Sequence, residues 1–497
     1  MEQQTIKVQQ ITEPVWPGLS PALNPILSPP LIIRPKRRKE IHHLPHFIQK
    51  MNVENMHPAV IKTFQHYYAE VCNGANGMIG EDEITRINPV DLVQADQLAE
   101  FSTQGKKALD KAVMIVLNGG LGTSMGLDNA KSLIPVKSSR SFMEITINQA
   151  SQQGVRLCFM NSFTTHNDTL NFIAAQNFSH PVVHFIQNKF PKILRDTLGP
   201  ASWLQDPSLE WNPPGHGDIY TAIHASGMLG QLLDAGIKYA FISNADNLSG
   251  TLDEALLGYF VESRIPFMME VSKRTPSDIK GGHIARRKDG RLVLREISQC
   301  PQKDLVHFQD ILRHCFFNTN NIWIDLEELS KQIKNDGLIR LPMILNPKSL
   351  DPNDETSPPV YQVETAMGSA ISLFEDARAV AVERDRFSPV KTCNDLLVLQ
   401  SDRVLLTHDS KLIPNPENKD ETIHVQLDPK FYGKIDRFQE RFPFGPPSLT
   451  GCRSLTVEGD VRFERNVVLN GRVTICNKRK NQEIIKAESI VTSDLQF

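Results

Sequence analysis

Ala112-Val113-Met114-Ile115-Val116-Leu117-Asn118-Gly119-Gly120-Leu121-Gly122-Thr123-Ser124-Met125-Gly126, followed by Lys131-Ser132, is the stretch from which the fold can be read. It opens as an unbroken apolar run, the pattern of a buried strand. The run empties into a glycine-rich loop and then a lysine. Glycine lets backbone N–H groups approach an anion with no Cβ in the way. The lysine adds a mobile positive charge. The pattern reads as a phosphate-holding loop, with an ordinary tight strand-to-helix turn as the alternative. Spacing excludes two familiar versions. A P-loop needs a second glycine five residues after the first with Lys-Ser/Thr directly behind it, but Ser124 and Met125 stand at those places. A dinucleotide fingerprint begun at Gly120 needs its third glycine where Met125 stands.

Outward from this loop the chain alternates short apolar runs with helical periods. Val155–Met160, Val182–Ile186, Tyr239–Ser243 and Phe267–Val271 are the runs. Ile223, Leu229, Leu232 and Leu233 form one helical stripe, with Gly236 as its C′ residue. This predicts an α/β domain with covering helices, in which ligands sit at the carboxyl ends of strands.

The 497 residues imply more than one domain. Residues 1–39 are proline-rich and end in the basic run Lys36-Arg37-Arg38-Lys39, most simply a solvated charge run. Residues 40–105 read as a helical lead-in, 106–385 as the α/β domain and 386–497 as a C-terminal domain. In the last of these Leu455, Val461, Val467 and Val473 are six apart, as are Val457, Phe463, Leu469 and Ile475. After a polar excursion at 477–483 the first row resumes at Ile485, Val491 and Phe497. A six-residue apolar period predicts a parallel β-helix, against a series of hairpins as the alternative. Its end is stackable, which makes a homo-oligomer through it a candidate assembly.

A net charge of −3 gives no global attraction to nucleic acid or to an anionic membrane. No apolar run is long enough for a bilayer span, and the N-terminus shows no secretory signal. Seven cysteines form no CxxC pair and read as reduced thiols of a cytoplasmic protein.

Two further stretches carry chemistry. In Pro213-Pro214-Gly215-His216-Gly217-Asp218 the prolines and glycines force a defined turn. Asp218 is expected to N-cap the next helix, so His216 and the Gly217 backbone would face an anion or a polar sugar near a helix N-terminus. In Ser243-Asn244-Ala245-Asp246-Asn247, an acid at the carboxyl end of a strand suits Mg²⁺, which takes one or two carboxylates plus phosphate oxygens and water. The alternative is an Asx-turn in which Asp246 caps the next helix. No His/Cys cluster suggests zinc.

The loop Leu117–Gly126 with Lys131-Ser132 closely resembles that of the eukaryotic-type UTP–glucose-1-phosphate uridylyltransferases. The family usually has Gly-Pro before the lysine, and this chain has Asn129-Ala130. The resemblance implies a Rossmann-like, mostly parallel nucleotidyltransferase domain with a C-terminal β-helix. It implies that UTP and glucose 1-phosphate react reversibly, with Mg²⁺, to UDP-glucose and pyrophosphate. Leu117, Asn118, Gly119, Gly120 and Lys131 would hold the nucleotide, and Gln187 with Gly217 would read uracil. His216, Asn244, Asn318 and Asn320 would hold the sugar phosphate, and Asp246 the metal. Lys131 and Lys391 would neutralise the reacting phosphates. Lys192 stands where an arginine is more usual. The alternatives are an enzyme of another or broader sugar range, and a non-catalytic sugar-nucleotide sensor on the same scaffold.

Overall fold

A computed structural model describes residues 43–176, 178–419 and 422–497. The proline-rich segment and its basic run lie outside the described residues. The principal sheet contains, in chain order, β1 (Val93–Gln94), β2 (Ala112–Asn118), β3 (Arg156–Asn161), β4 (Val182–Ile186), β5 (Tyr239–Asn244), β6 (Phe267–Lys273), β7 (Phe316–Asp325) and β8 (Arg378–Ala381). Their spatial order is β1-β8-β6-β7-β5-β2-β3-β4. Every residue of β2 is buried, as its apolar run requires of a central strand covered on both faces.

Helix Phe142–Gln153 carries the chain from β2 to β3. Ser141 and Glu144 close a capping box at its start, and Gly154 at φ +64° ends it. The next strands then run away from β2 on one side, through β3 to β4, while β5 pairs parallel to β2 on the other. The strand order therefore reverses at β2/β5. At such a reversal the connections leave in opposite directions and open a crevice beyond the strand ends.

The sheet is mixed, because β7 enters antiparallel to both β5 and β6. A side ribbon of Ile84–Arg86, His283–Arg287 and Leu292–Arg295 joins it antiparallel through His283 opposite Phe317. The stripe around Ile223 and Leu229 is two helices, not one. Ile219–Ala225 and Met228–Asp234 break at Gly227, whose φ of +77° a helix cannot accommodate. Gly236 at φ +79° follows the second helix.

Helices Leu44–Val53 and Pro58–Cys72 pack Phe47, Phe64 and Tyr68 against Phe190, Trp211 and Met343. At the other end of the chain, His424–Leu427, Cys452–Glu458, Gly471–Cys476 and Leu495–Gln496 form one parallel sheet. Two further narrow sheets, Val461–Phe463 with Glu483–Ile485 and Val468–Leu469 with Ile490–Val491, are also parallel. Leu455 stands beside Val473, Phe463 beside Ile485 and Leu469 beside Val491. These side chains share one buried cluster with Met125, Ile134 and Val136, which flank the glycine loop. Among the described residues no helix is long and apolar enough to cross a membrane. Five of the seven cysteines are buried and all are free.

Candidate active site at the strand-order reversal

A cleft of about 300 Å³ opens beyond the C-terminal ends of β2 to β5. Its walls come from the residues that follow each strand. Leu117, Asn118, Gly119 and Gly120 follow or end β2, Met160 ends β3, Gln187 follows β4, and Asn244 and Asp246 lie at the end of β5.

The glycine loop folds back on itself. The carbonyl of Gly122 accepts from the N–H groups of Met125 (2.8 Å) and Leu127 (3.1 Å). The Lys131 N–H then donates to the Gly120 carbonyl at 3.1 Å. This closure explains why a lysine eleven residues beyond Gly120 still serves the same loop. A Cβ on Gly119 would lie 3.1 Å from Gln187 Oε1, whereas one on Gly120 would meet nothing within 4 Å. Gly119 thus permits a close approach within the protein, and Gly120 keeps bare backbone toward the cleft. The side chain of Asn118 is turned into the protein. Its Nδ2 donates to Asn161 Oδ1 (2.8 Å) and Thr169 Oγ1 (2.9 Å), and its carbonyl accepts from Thr165 Oγ1 at 2.7 Å.

At the centre of the cleft Lys131 Nζ donates to Asp246 Oδ2 at 2.7 Å. Both side chains keep some contact with solvent, 16% and 22% exposed. Asp246 does not cap the following helix, because Asp253 caps helix Glu254–Glu262 by accepting from Ala255 and Leu256 N–H. Its carboxylate faces the Lys131 ammonium instead. Next to Lys131, the hydroxyl of Ser132 lines the cleft, is buried, and lacks a hydrogen-bond partner within the protein. An unsatisfied buried hydroxyl costs free energy until something occupies it.

Gln187 donates from Nε2 to the Gly215 carbonyl at 2.7 Å, which ties the strand end to the Pro213–Asp218 turn. Of that turn, Pro213, Gly215 and His216 line the cleft. Gly217 packs on the far side, where an added Cβ would come within 2.4 Å of Thr365 Oγ1. Asp218 makes no side-chain cap. It accepts instead from Asn188 N–H (2.7 Å) and Asn188 Nδ2 (3.0 Å), because a buried carboxylate satisfies itself with whichever donors are nearest. Burial pushes its carboxyl up to about 7, against the pull of those two donors. Lys192 is buried and donates to the Leu350 carbonyl, and is not among the residues lining the cleft.

His216 Nδ1 accepts from the Met367 N–H at 3.1 Å. In the neutral ring the proton then sits on Nε2. Burial holds the imidazole down at about 4. The unfolded chain takes up this proton near 6.5 and the folded one only near 4. Its stabilising contribution is whole above 6.5 and falls away as the pH drops toward 4. Asp218 slopes oppositely, its contribution being whole below 3.8 and lost as the pH rises through 7. Bulk melting curves would blur the two, so the expected outcome is spectroscopic. ¹⁵N imidazole shifts should show His216 as the neutral Nε2–H tautomer from pH 8 down to about 5. A titration centred near 6.5 would contradict this geometry.

Asn318, Asn320 and Lys391 are not among the residues lining this cleft. β7 pairs Ile322 with Ile242 of β5, which carries Asn320 level with Asn244 at the end of β5 and Asn318 beyond it. Asn320 has φ +61°, and its N–H donates to Asn318 Oδ1 while its Oδ1 accepts from Asn318 Nδ2 at 2.7 Å. Lys391 is exposed, and its charge partly offsets the effect of burial that pushes Glu296 up to about 7. The preceding Val390 donates from its N–H to the Asp246 carbonyl at 3.1 Å, which brings this loop against the cleft.

Residues 61–470 match the profile of the UTP–glucose-1-phosphate uridylyltransferase family. The enzyme of that name from Encephalitozoon cuniculi is 37% identical over 413 residues, which cover 82% of this chain and 81% of the relative. A mutant UDP-glucose pyrophosphorylase from Leishmania major superposes with a TM-score of 0.84 at 40% identity, covering 91% of this chain and 98% of that one. A second variant of that enzyme, solved in complex with UDP-glucose, has a TM-score of 0.83 at 39% identity over 91% and 98% of the two chains.

Proposed function

The chain belongs to the UTP–glucose-1-phosphate uridylyltransferase family, and from that footing we propose that its cleft joins UTP to glucose 1-phosphate, releasing pyrophosphate and UDP-glucose. The observation that carries this reading is the Lys131–Asp246 pair beside bare glycine backbone at the strand-order reversal.

An oxygen of the sugar phosphate attacks the α-phosphorus of UTP. The bond from that phosphorus to the bridging oxygen breaks, and its electrons leave with pyrophosphate. The nucleophile is already an anion, so no general base is needed. The task is to align two anions and offset their repulsion. One phosphoanhydride is broken and one is made, which supports a reaction that runs both ways. The backbone from Asn118 to Gly120 and Lys131 hold the UTP phosphates. Gln187 and Gly215 read the base, with Gly217 bracing the turn against Thr365. His216 donates from Nε2, and Asn244, Asn318 and Asn320 orient the sugar phosphate. Lys391 adds charge where the substrates meet.

A single carboxylate, Asp246, suits a Mg²⁺ ion whose other ligands are phosphate oxygens and water, and among the described residues no group of three metal-ligating side chains competes for the role. When bound, the ion supplies charge neutralisation on the phosphates. The parallel C-terminal sheets are read as the coils of a β-helix, and their final strand, Leu495–Gln496, as the candidate contact between copies. Seven free thiols support residence in the reducing cytoplasm.

The test is pyrophosphate release from UTP by the purified protein with a panel of sugar 1-phosphates. Glucose 1-phosphate should be used best, and galactose 1-phosphate poorly. No release with any of them would leave the chain a binder. A finer expectation concerns Ser132. Ser132→Ala should raise KM for UTP about tenfold, the worth of one hydrogen bond to a charged group, while leaving glucose 1-phosphate KM unchanged. An unaltered KM for UTP would leave the orphan hydroxyl without a ligand role.

A further inference from the structure

Strand β6 carries one carboxylate in an otherwise apolar run, Glu270, and that side chain is 0% exposed. It is fully engaged. Arg386 donates from Nε to Oε2 and from Nη2 to Oε1, both at 2.8 Å, as a two-pronged fork. Trp323 Nε1 donates to Oε1 (2.9 Å) and Asn321 Nδ2 to Oε2 (3.0 Å). The Glu270 carbonyl accepts from Thr319 Oγ1 at 2.8 Å. Thr319 and Asn321 alternate along β7 with Asn318 and Asn320, and the β6–β7 register shifts between Met269 and Val271. The hub thus holds the bulged part of β7 from behind.

The other half of the hub leads to Lys391. The Arg386 carbonyl accepts from Asn247 Nδ2 (3.2 Å), and Asn247 Oδ1 accepts from the Ser388 N–H (3.0 Å). Val390 then donates to the Asp246 carbonyl (3.1 Å). Residues 386–390 are fastened at alternate positions onto the turn that carries Asp246, and Lys391 is the next residue. Burying an ion pair for stability alone is a poor investment, because desolvation offsets most of the attraction. A fork that fixes direction as well as distance is what a positioning role requires.

We propose that Glu270 and Arg386 are positioning residues for the transfer reaction: the pair holds the 386–390 strut against the Asp246 turn and so aims Lys391 at the reacting phosphates. The inference rests on the catalytic reading of Lys391 given above. It touches no substrate itself and acts through the strut.

The test is a double-mutant cycle on the full-length enzyme. Arg386→Lys keeps the charge and loses the fork. It should lower kcat about 10- to 100-fold, the cost of misplacing a catalytic group by an ångström or so, with KM for UTP within about threefold of the parent. On a Lys391→Ala background the same substitution should lower kcat less than about twofold further, because the group it positions is gone. Melting temperature is recorded for each variant. If Arg386→Lys does not fold, Asn247→Ala carries the same cycle, since it loosens the strut and leaves the buried pair intact. Effects that multiply in the double variant would overturn the positioning role even with Lys391 catalytic. A near-normal kcat for Lys391→Ala alone would instead overturn the reading of Lys391, and the strut's purpose with it. A kcat unchanged by Arg386→Lys overturns the inference directly.

Discussion

Lys391→Ala is expected to lower kcat by about 10²–10³, the effect of removing one preorganised electrostatic group from a site where charge develops. Lys391 lies outside the cleft that holds the glycine loop, on the strut fastened to the Asp246 turn. On the proposed reading it contributes little to holding UTP in the ground state, a role assigned there to Lys131 and the Gly119–Gly120 backbone. Its charge counts when negative charge spreads between the attacking and leaving oxygens. KM for UTP should accordingly move less than kcat. Lys391→Arg should recover only part of the rate, since a planar fork does not replace a compact point charge among phosphates. Steady-state kinetics at saturating glucose 1-phosphate distinguishes the cases. A large change in KM with normal kcat would make Lys391 a ground-state binder, and no change in either would make it a surface lysine.

Asp246→Asn should be at least as damaging, with kcat reduced about 10³-fold or more, because the substitution removes the one carboxylate among the described residues lining the cleft. Shape and hydrogen-bonding capacity are nearly kept. Stability should hardly change. The cap of the following helix belongs to Asp253, and the Lys131 pair that is lost is partly solvated, so its removal costs about 1 kcal/mol or less. The Mg²⁺ concentration needed for half-maximal rate should rise as well. Calorimetric melting alongside the assay checks both halves. A marked fall in melting temperature with activity preserved would make the Lys131–Asp246 pair a structural tie.

Much of this site was legible along the chain because its signals are local. The β2 run, the glycine loop and the Asp246 turn each lie within a few residues, and the sheet merely brings their ends together at the reversal of strand order. The six-residue apolar period of the C-terminal region was legible for the same reason, and its residues there lie in parallel sheets. What escaped depends on partners remote in sequence. β7 contains Asn318-Thr319-Asn320-Asn321, which has no strand-like alternation; it pairs with β5 and β6, and Glu270 accepts from the Thr319 and Asn321 side chains. Glu270 itself is conspicuous in an apolar run, yet its partner Arg386 lies 116 residues away. Asp218 sits where a cap belongs and is taken by Asn188 instead. Met125 breaks the dinucleotide spacing for a reason a local reading does not see, because it is buried in the C-terminal cluster. Lys434 of that module also donates to the Thr123 carbonyl at 3.2 Å, so the module supports the glycine loop from outside the cleft.

The claim that ties these results together is that the crevice at the β2/β5 reversal is where nucleotide and sugar phosphate meet. A crystal structure of the chain soaked with UDP-glucose tests it most directly. The account predicts uracil against Gln187 and Gly215, the diphosphate along Gly119–Gly120 with Lys131 turned from Asp246 onto it, and the glucose toward His216, Asn318 and Asn320. A product molecule bound elsewhere, with the Lys131–Asp246 pair intact, would contradict it.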